Sequence, residues 1–197
     1  MKNISSFLLL SKIRLINRYH SKFISSSPNC HIPVPYQDAK PGDCGIACIA
    51  MILKWKHINT GSFGNFVSKH KTEANYLEPT GWRHLAMAQI LHEYHIKSSY
   101  HKYKTLLYLL SELKKGHPTI ISVRVPTVDT ISPSQLYKGV NDVEYTGHLC
   151  VLKGYENGYF IINDPRNVYE YSESVRVPPK VLSDIFTGNC IVVQEEN

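Results

Sequence analysis

The sequence predicts an α+β fold in which N-terminal helices, one of them a buried central helix, pack on a C-terminal antiparallel sheet. An unbroken apolar run from Ile46 to Leu53 is typical of a helix that is buried on every side. Helical patterns continue to about residue 116, and strand patterns rich in β-branched residues follow. Two of these strands flank the turn sequence Glu156-Asn157-Gly158, which favours an antiparallel hairpin.

The length and composition indicate one globular domain with a tail. Of the 197 residues, 43% are hydrophobic and 19% are charged, which is enough apolar material for a sizeable core. No apolar run approaches the roughly 18 residues that a membrane span needs. The five cysteines are an odd number and widely scattered. A disulfide framework is therefore not expected, and a reducing compartment would suit a free thiol.

The net charge of +6 comes from the N-terminal segment. Five of the 22 basic residues precede the first acidic residue, Asp38, which leaves 17 basic against 16 acidic residues in the rest of the chain. A nucleic-acid interface needs basic residues clustered on the folded part of a protein. Nucleic acid is therefore not an expected partner.

Residues 1–30 are predicted to form a basic extension, and residues 31–197 the domain. The extension contains no Asp or Glu, and Arg14, Arg18 and Lys22 recur every four residues, which would place them on one side of a helix. This composition is typical of a mitochondrial-type transit peptide. A disordered basic tail on a cytoplasmic protein, or a misassigned start, is the alternative.

The helix that contains the apolar run is predicted to begin at Cys44 and to end near Trp55. Asp43 is a natural N-cap, which makes Cys44 the first helical residue. Unpaired backbone N–H groups and the helix dipole favour negative charge at that position, so the thiol should lose its proton readily. A cysteine nucleophile requires such a setting, although a small buried cysteine more often serves packing alone.

The other elements follow in order from local patterns. Between residues 62 and 116 the sequence indicates a short segment at Ser62–His70, a helix opened by Thr80-Gly81-Trp82 and running to His95, and a helix from Thr105 to Lys115 stopped by Gly116. Later segments indicate strands at Thr119–Val125, Gly147–Tyr155, Tyr159–Asn163 and Cys190–Val193, with a short helix after Pro178-Pro179. An irregular loop is expected at 126–144, and a further hairpin before Val177.

His148 and Asp164 lie on the predicted hairpin, and its register decides whether they meet. A two-residue turn without a bulge pairs Val151 with Asp164, which puts the His148 and Asp164 side chains on opposite faces. A three-residue turn, or a bulge at Gly154, pairs Cys150 with Asp164 instead. His148 and Asp164 are then diagonal neighbours on one face, roughly 7–8 Å apart. Functional use of this pair therefore predicts one of these two irregularities.

Gln37 lies seven residues before Cys44, across a turn that could bring its amide back toward the sulfur. Such an amide, together with the backbone N–H of Cys44, would stabilise a developing oxyanion. Gln37 is therefore a fourth candidate site residue.

These residues together resemble the C39-like branch of papain-fold cysteine peptidases. The motifs are Gln37, Asp43-Cys44-Gly45 with its apolar helix, Gly147-His148, and Asn163-Asp164-Pro165. The resemblance implies Cys44 as nucleophile, His148 as general base and acid, Asp164 as its orienting carboxylate and Gln37 as oxyanion donor. The family spacing would place the glutamine one residue nearer the cysteine. The stretch from His31 to Pro35 is also similar to eukaryotic guanylyl cyclase domain proteins.

The expected activity is that of a cysteine peptidase acting on a peptide or protein substrate through a thioester intermediate. A non-catalytic peptide-binding member of the same fold and an acyltransferase with the same triad are the alternatives. A nucleotide cyclase is disfavoured, because the sequence has no Gly-rich phosphate loop and no paired acids. Cys44 and Cys48 lack a second Cys/His pair at ligand spacing, so neither a metal nor a cofactor is expected.

Overall fold

The computed structural model of the chain describes residues 4–24, 27–78, 80–126, 145–166 and 173–195. Its helices are α1 (Ile4–Ile24), α2 (Cys44–Trp55), α3 (Phe63–His70), α4 (His84–Glu93), α5 (Leu106–Lys114) and α6 (Pro179–Ile185). Its strands are β1 (Cys30–His31), β2 (Tyr76–Leu77), β3 (Gly81–Trp82), β4 (Ser98–His101), β5 (Thr119–Pro126), β6 (Tyr145–Glu156), β7 (Tyr159–Asn163), β8 (Val175–Val177) and β9 (Phe186–Val193).

Seven of the strands form one antiparallel sheet, in the order β4-β9-β5-β6-β7-β8, with β1 added beside β6. Strands β2 and β3 form a separate hairpin. Helix α2 packs on β6 and also contacts α3 and α4. The predicted α+β arrangement, with helices first and an antiparallel sheet after them, is confirmed.

Helix α2 has the predicted bounds, Cys44 to Trp55, and residues 45–53 are all buried. The apolar run therefore packs on every side, as its sequence indicates. The prediction for Asp43 was wrong in one respect. Asp43 precedes the helix, but its side chain makes no capping hydrogen bond within the described residues. Its carboxylate instead accepts a hydrogen bond from Lys71 Nζ at 2.8 Å, a long-range partner that local sequence does not reveal.

The hairpin of β6 and β7 contains the irregularity that the catalytic hypothesis requires. Its turn is the two-residue loop Asn157-Gly158, in which both residues have positive φ. The register then shifts between Leu152 and Gly154, so one extra residue lies in β6. Beyond the shift Val151 pairs with Asn163. This is the predicted bulge beside Gly154, and it puts Cys150 level with Asp164.

Other boundaries differ from the prediction because strand pairing, local in one case and long-range in two, determines them. Gly81 and Trp82 do not open a helix: they pair with Tyr76 and Leu77, and α4 begins at His84. Strand β9 starts four residues earlier than predicted because it pairs along β5. Strand β4 was not predicted and pairs with the end of β9. The polar stretch before Val177 does supply β8, whereas residues 127–144 lie outside the described part of the chain.

Helix α1 is docked on the domain, mainly against α6 and also against α5. The buried Asn17 accepts a hydrogen bond from the backbone N–H of Leu106 at 2.9 Å, where α5 begins. Tyr155 Oη donates to the carbonyl of Ile24 at 2.6 Å. Mitochondrial targeting by this segment stays a prediction. Among the described residues, α1 and the other helices are all too short or too polar to cross a bilayer.

Candidate active site

Cys44 is the first residue of helix α2. Its side chain is partly exposed, whereas the nine residues that follow it are buried. The His148 side chain and the backbone of Leu149 and Gly45 are the polar neighbours of the sulfur. Burial alone would raise the pKa of Cys44, but the hydrogen bond and charge of His148 and the two backbone groups lower it. The site thus favours the thiolate.

His148 and Asp164 are in direct contact, as the bulged register predicts. His148 Nε2 lies 2.7 Å from Asp164 Oδ1. Both residues are buried, with 5% and 0% of their surface exposed. Burial disfavours the imidazolium, yet the contacts with Cys150 and Asp164 raise the pKa of His148 well above its ordinary value. The ionised Asp164 carboxylate thus favours the protonated form of His148.

The carboxylate of Asp164 is also bound by Arg166, a residue that the sequence prediction missed. Arg166 Nη2 donates to Oδ2 at 2.6 Å, and its backbone N–H donates to Oδ1 at 3.0 Å. Burial opposes the charge of Asp164, but His148 and Arg166 together hold the pKa of this carboxyl well below its ordinary value. No local sequence pattern distinguishes this arginine from the other basic residues, although it lies only two residues after Asp164.

Three hydrogen bonds, two from the Asn163 side chain and one between backbone groups, join the segment before Cys44 to the segment that contains Asp164. Asn163 is fully buried, and its Nδ2 donates to the carbonyl of Val34 at 3.0 Å and to that of Pro35 at 3.3 Å. The N–H of Ala39 donates to the carbonyl of Pro165 at 2.7 Å. These bonds fix the sheet end against the loop that leads into α2. The sequence prediction included Asn163 in a motif but gave it no role.

Trp82 supports the same loop from the helical side. Its indole Nε1 donates to the carbonyl of Gly42 at 2.9 Å, two residues before the cysteine. The ring packs directly on Gly45, the residue after Cys44. Trp82 itself is 95% buried.

Gln37 is the one candidate that the structure does not bring to the sulfur. Its Nε2 lies 3.0 Å from the carbonyl and 3.1 Å from Oδ1 of Asp38. Its Oε1 accepts a hydrogen bond from Lys54 Nζ at 2.6 Å, and Lys54 lies near the far end of α2. Both ends of the amide are thus engaged away from Cys44. The one-residue departure from the family spacing is consistent with this displacement.

Three donor groups approach closely enough to raise the question of a metal. One ligand atom each from His148, Cys150 and Asp164 lies within 4.8 Å of the others. However, the Arg166 guanidinium already neutralises Asp164, and a metal cation there would be repelled by it. Burial also raises the pKa of Cys150, so this thiol resists becoming a thiolate ligand. These three groups are therefore better suited to hold and transfer a proton than to bind a metal ion.

The chain matches the Peptidase_C39 like family over residues 31–178, which is most of its length. No curated protein matches it at a significant level. The predicted similarity to guanylyl cyclase domain proteins is not shown by these comparisons.

Solved structures share this fold at low sequence identity. A candidate C39-like peptidase from Bacillus anthracis has a TM-score of 0.63 at 18% identity and covers 87% of this chain and 100% of its own. A double glycine motif protease from an AMS/PCAT transporter, in complex with the leader peptide, has a TM-score of 0.54 at 20% identity and covers 86% and 96%. The peptidase domain of Streptococcus ComA, a bifunctional ABC transporter of a quorum sensing pathway, has a TM-score of 0.54 at 19% identity and covers 81% and 97%. The predicted papain-like cysteine peptidase fold is confirmed, and the chain belongs to the Peptidase_C39 like family.

Proposed function

We propose that the chain is a cysteine peptidase that hydrolyses amide bonds with Cys44, His148 and Asp164. One observation carries the proposal: His148 Nε2 contacts the Asp164 carboxylate at 2.7 Å, and the same side chain is near enough to Cys44 to lower the pKa of its thiol. Cys44, His148 and Asp164 thereby form the nucleophile, base and orienting carboxylate of a cysteine triad.

The chemistry follows from the charges of these groups. The Cys44 thiolate attacks the substrate carbonyl, and the His148 imidazolium gives its proton to the leaving amine. Water then attacks the thioester, with the neutral imidazole as base, and the acyl product leaves. Asp164 stabilises the imidazolium, and Arg166 keeps Asp164 ionised throughout. The backbone N–H of Cys44 is suited to bind the oxyanion, whereas Gln37 would have to leave Asp38 and Lys54 first.

The proposed substrate is a peptide or an unfolded protein segment. One structural neighbour was solved with a leader peptide, and its name refers to a double glycine motif. A peptide with a Gly-Gly sequence is therefore a rational first member of a substrate panel. An acyltransferase would differ from a peptidase in the acceptor that resolves the thioester.

Thiol labelling and peptide cleavage together test the proposal. Cys30 is a suitable internal control, because it is the other partly exposed cysteine of the chain and burial raises its pKa. We expect iodoacetamide near pH 6 to label Cys44 before Cys30, as read by peptide mass spectrometry. A panel of fluorogenic peptides should be cleaved by the wild type and by Cys30→Ala but not by Cys44→Ala.

Two results would contradict the proposal. Equal labelling of Cys44 and Cys30 would show that the sulfur is not activated. Selective labelling without turnover, even with hydroxylamine added as an acyl acceptor, would favour the non-catalytic peptide-binding alternative.

A further inference from the structure

Cys150 lies beneath the His148–Asp164 pair and is fully buried. It stands two residues after His148 in β6, so both side chains lie on one face of the sheet. Val151 and Asn163 form the last pair of the β6–β7 ladder, and Cys150 and Asp164 are the next residues beyond that pair on the two segments. Its sulfur, one nitrogen of His148 and one oxygen of Asp164 lie within 4.8 Å of one another.

A small buried cysteine commonly does no more than fill space. Two observations indicate more for Cys150. Its sulfur lies within 4.8 Å of a ring nitrogen of His148 and of an oxygen of Asp164, and His148 and Asp164 contact each other at 2.7 Å. Burial and the adjacent Asp164 raise the pKa of Cys150, so the group is a neutral thiol beside a cationic ring. A neutral sulfur beside this ring can act as a weak second acceptor for the N–H that His148 directs at Asp164, without competing with Asp164 for its charge.

We propose that Cys150 is a positioning residue, whose thiol orients the His148 ring toward Cys44 and stabilises its protonated form. The proposal deepens the proposed function, because it rests on the role given there to His148. It requires the bulge in β6, since a bulge-free register would place Asp164 opposite Val151 and away from this thiol.

The ring of His148 has charged or titratable neighbours on each element that packs around it. Helix α2 contributes Cys44, β6 contributes Cys150, and the segment after β7 contributes Asp164 with Arg166 behind it. Cys48 lies on the next turn of α2 near Cys150 and Asp164, and burial raises its pKa strongly. Any change in the titration of His148 must therefore be compared among variants that keep these other groups.

The test is a direct titration of His148 by NMR, in protein labelled with ¹³C at histidine Cε1. The His148 signal is assigned as the one missing from a His148→Gln spectrum. Wild type is compared with Cys150→Ser, which keeps a hydrogen-bonding group, and with Cys150→Val, which fills the site with an apolar group. Cys190→Val is the matched control, because Cys190 is a second fully buried cysteine of the same sheet, on β9. Thermal unfolding is recorded for each variant.

We expect the His148 midpoint to fall by about half a pH unit in Cys150→Val, the shift that corresponds to one lost weak hydrogen bond. The His148 titration midpoint of Cys150→Ser should lie closer to that of wild type, and Cys190→Val should leave this midpoint unchanged. A lower melting temperature with an unchanged midpoint in Cys150→Val would show that the thiol serves packing only and would overturn the proposal. If Cys150→Val does not fold, Cys150→Ala makes the same comparison without added volume. The readout needs no turnover, so it remains decisive even if the chain cleaves no peptide.

Discussion

Trp82 packs on Gly45 so closely that a Cβ atom at this glycine would lie 2.5 Å from the indole Cγ. No real Cβ contact is that short, so Gly45→Ala must displace the ring or the first turn of α2. We expect it to lower the free energy of unfolding by about 1–3 kcal/mol, more than the gain of about 1 kcal/mol in helix propensity. Urea denaturation measures the change.

Gly64→Ala is the control for this substitution. It lies in α3, where a Cβ would meet no other atom of the described residues within 4 Å. This variant should be neutral or more stable by up to about 1 kcal/mol. Equal effects of the two substitutions would show that the contact with Trp82 does not constrain the nucleophile helix.

The guanidinium of Arg166 should lower the pH at which the protein unfolds in acid. Asp164 has a depressed pKa, so its contribution to stability is present above its ordinary value of 3.8 and is lost as the pH falls through the depressed value. Arg166→Gln removes one cause of the depression, and we expect the acid-unfolding midpoint to move to higher pH. Arg166→Lys keeps the charge but loses the paired contacts of the guanidinium, so its acid-unfolding midpoint should lie between those of wild type and Arg166→Gln. Circular dichroism against pH provides the measurement, and identical midpoints would contradict the prediction.

The reactivity of Cys44 should depend on His148. The thiol pKa lies below its ordinary value of 9.0 because His148 outweighs the effect of burial. In His148→Gln only the backbone groups oppose burial, so the pH midpoint of alkylation should rise. The rate near pH 7 should fall at least tenfold, which corresponds to about one unit in the midpoint. Cys30 labelling in the same samples should not change, and parallel losses at both cysteines would indicate misfolding instead.

Gln37 should contribute less to catalysis than an oxyanion donor does. Its amide is bound by Asp38 and Lys54, so Gln37→Ala should lower kcat/KM by less than about tenfold. Loss of a true oxyanion donor costs about 10²–10³ in kcat. A loss of that size would mean that the amide turns toward the sulfur when substrate binds. Peptide hydrolysis by the two proteins decides between these outcomes.

Helix α1 should contribute to the stability of the domain. Asn17→Ala removes the acceptor for the buried N–H of Leu106, and we expect a loss of about 1–2 kcal/mol. Leu15→Ala is the matched control, because Leu15 is 71% exposed on the same helix and should change stability by less than about 0.5 kcal/mol. Equal melting temperatures for both variants would show that α1 is not docked in solution.

The parts of the fold that could be predicted depend on local pattern. The bounds of α2 followed from an uninterrupted apolar run. Counting residues around Asn157-Gly158 left two hairpin registers open, and the requirement that His148 meet Asp164 selected the bulged one, which the structure contains. The salt bridge of Asp43 with Lys71 joins segments that spacing does not relate, and the short hairpin of Tyr76 with Trp82 has no alternating pattern that would indicate it.

The candidate site divides in the same way. Cys44, His148 and Asp164 were predictable because Cys44 begins α2, His148 lies within β6 and Asp164 directly follows β7, so their positions follow from regular elements. Arg166 and the displaced amide of Gln37 were not, because each lies in an irregular segment whose path is set by backbone bonds between Ala39 and Pro165.

Side chains alternate along a strand, so the single extra residue between Leu152 and Gly154 works as an odd-or-even switch. Deleting one residue there would preserve every functional group and most of the hydrophobic interior. It would also keep Val151 opposite Asn163, so Asp164 would stay on the face of the sheet that carries His148. Removing a second residue of β6 between this point and the turn would shift the pairing by one, turn Asp164 to the reverse side of the sheet and leave the imidazole without its anion, so an engineer who shortens this strand can remove the bulged residue but no other.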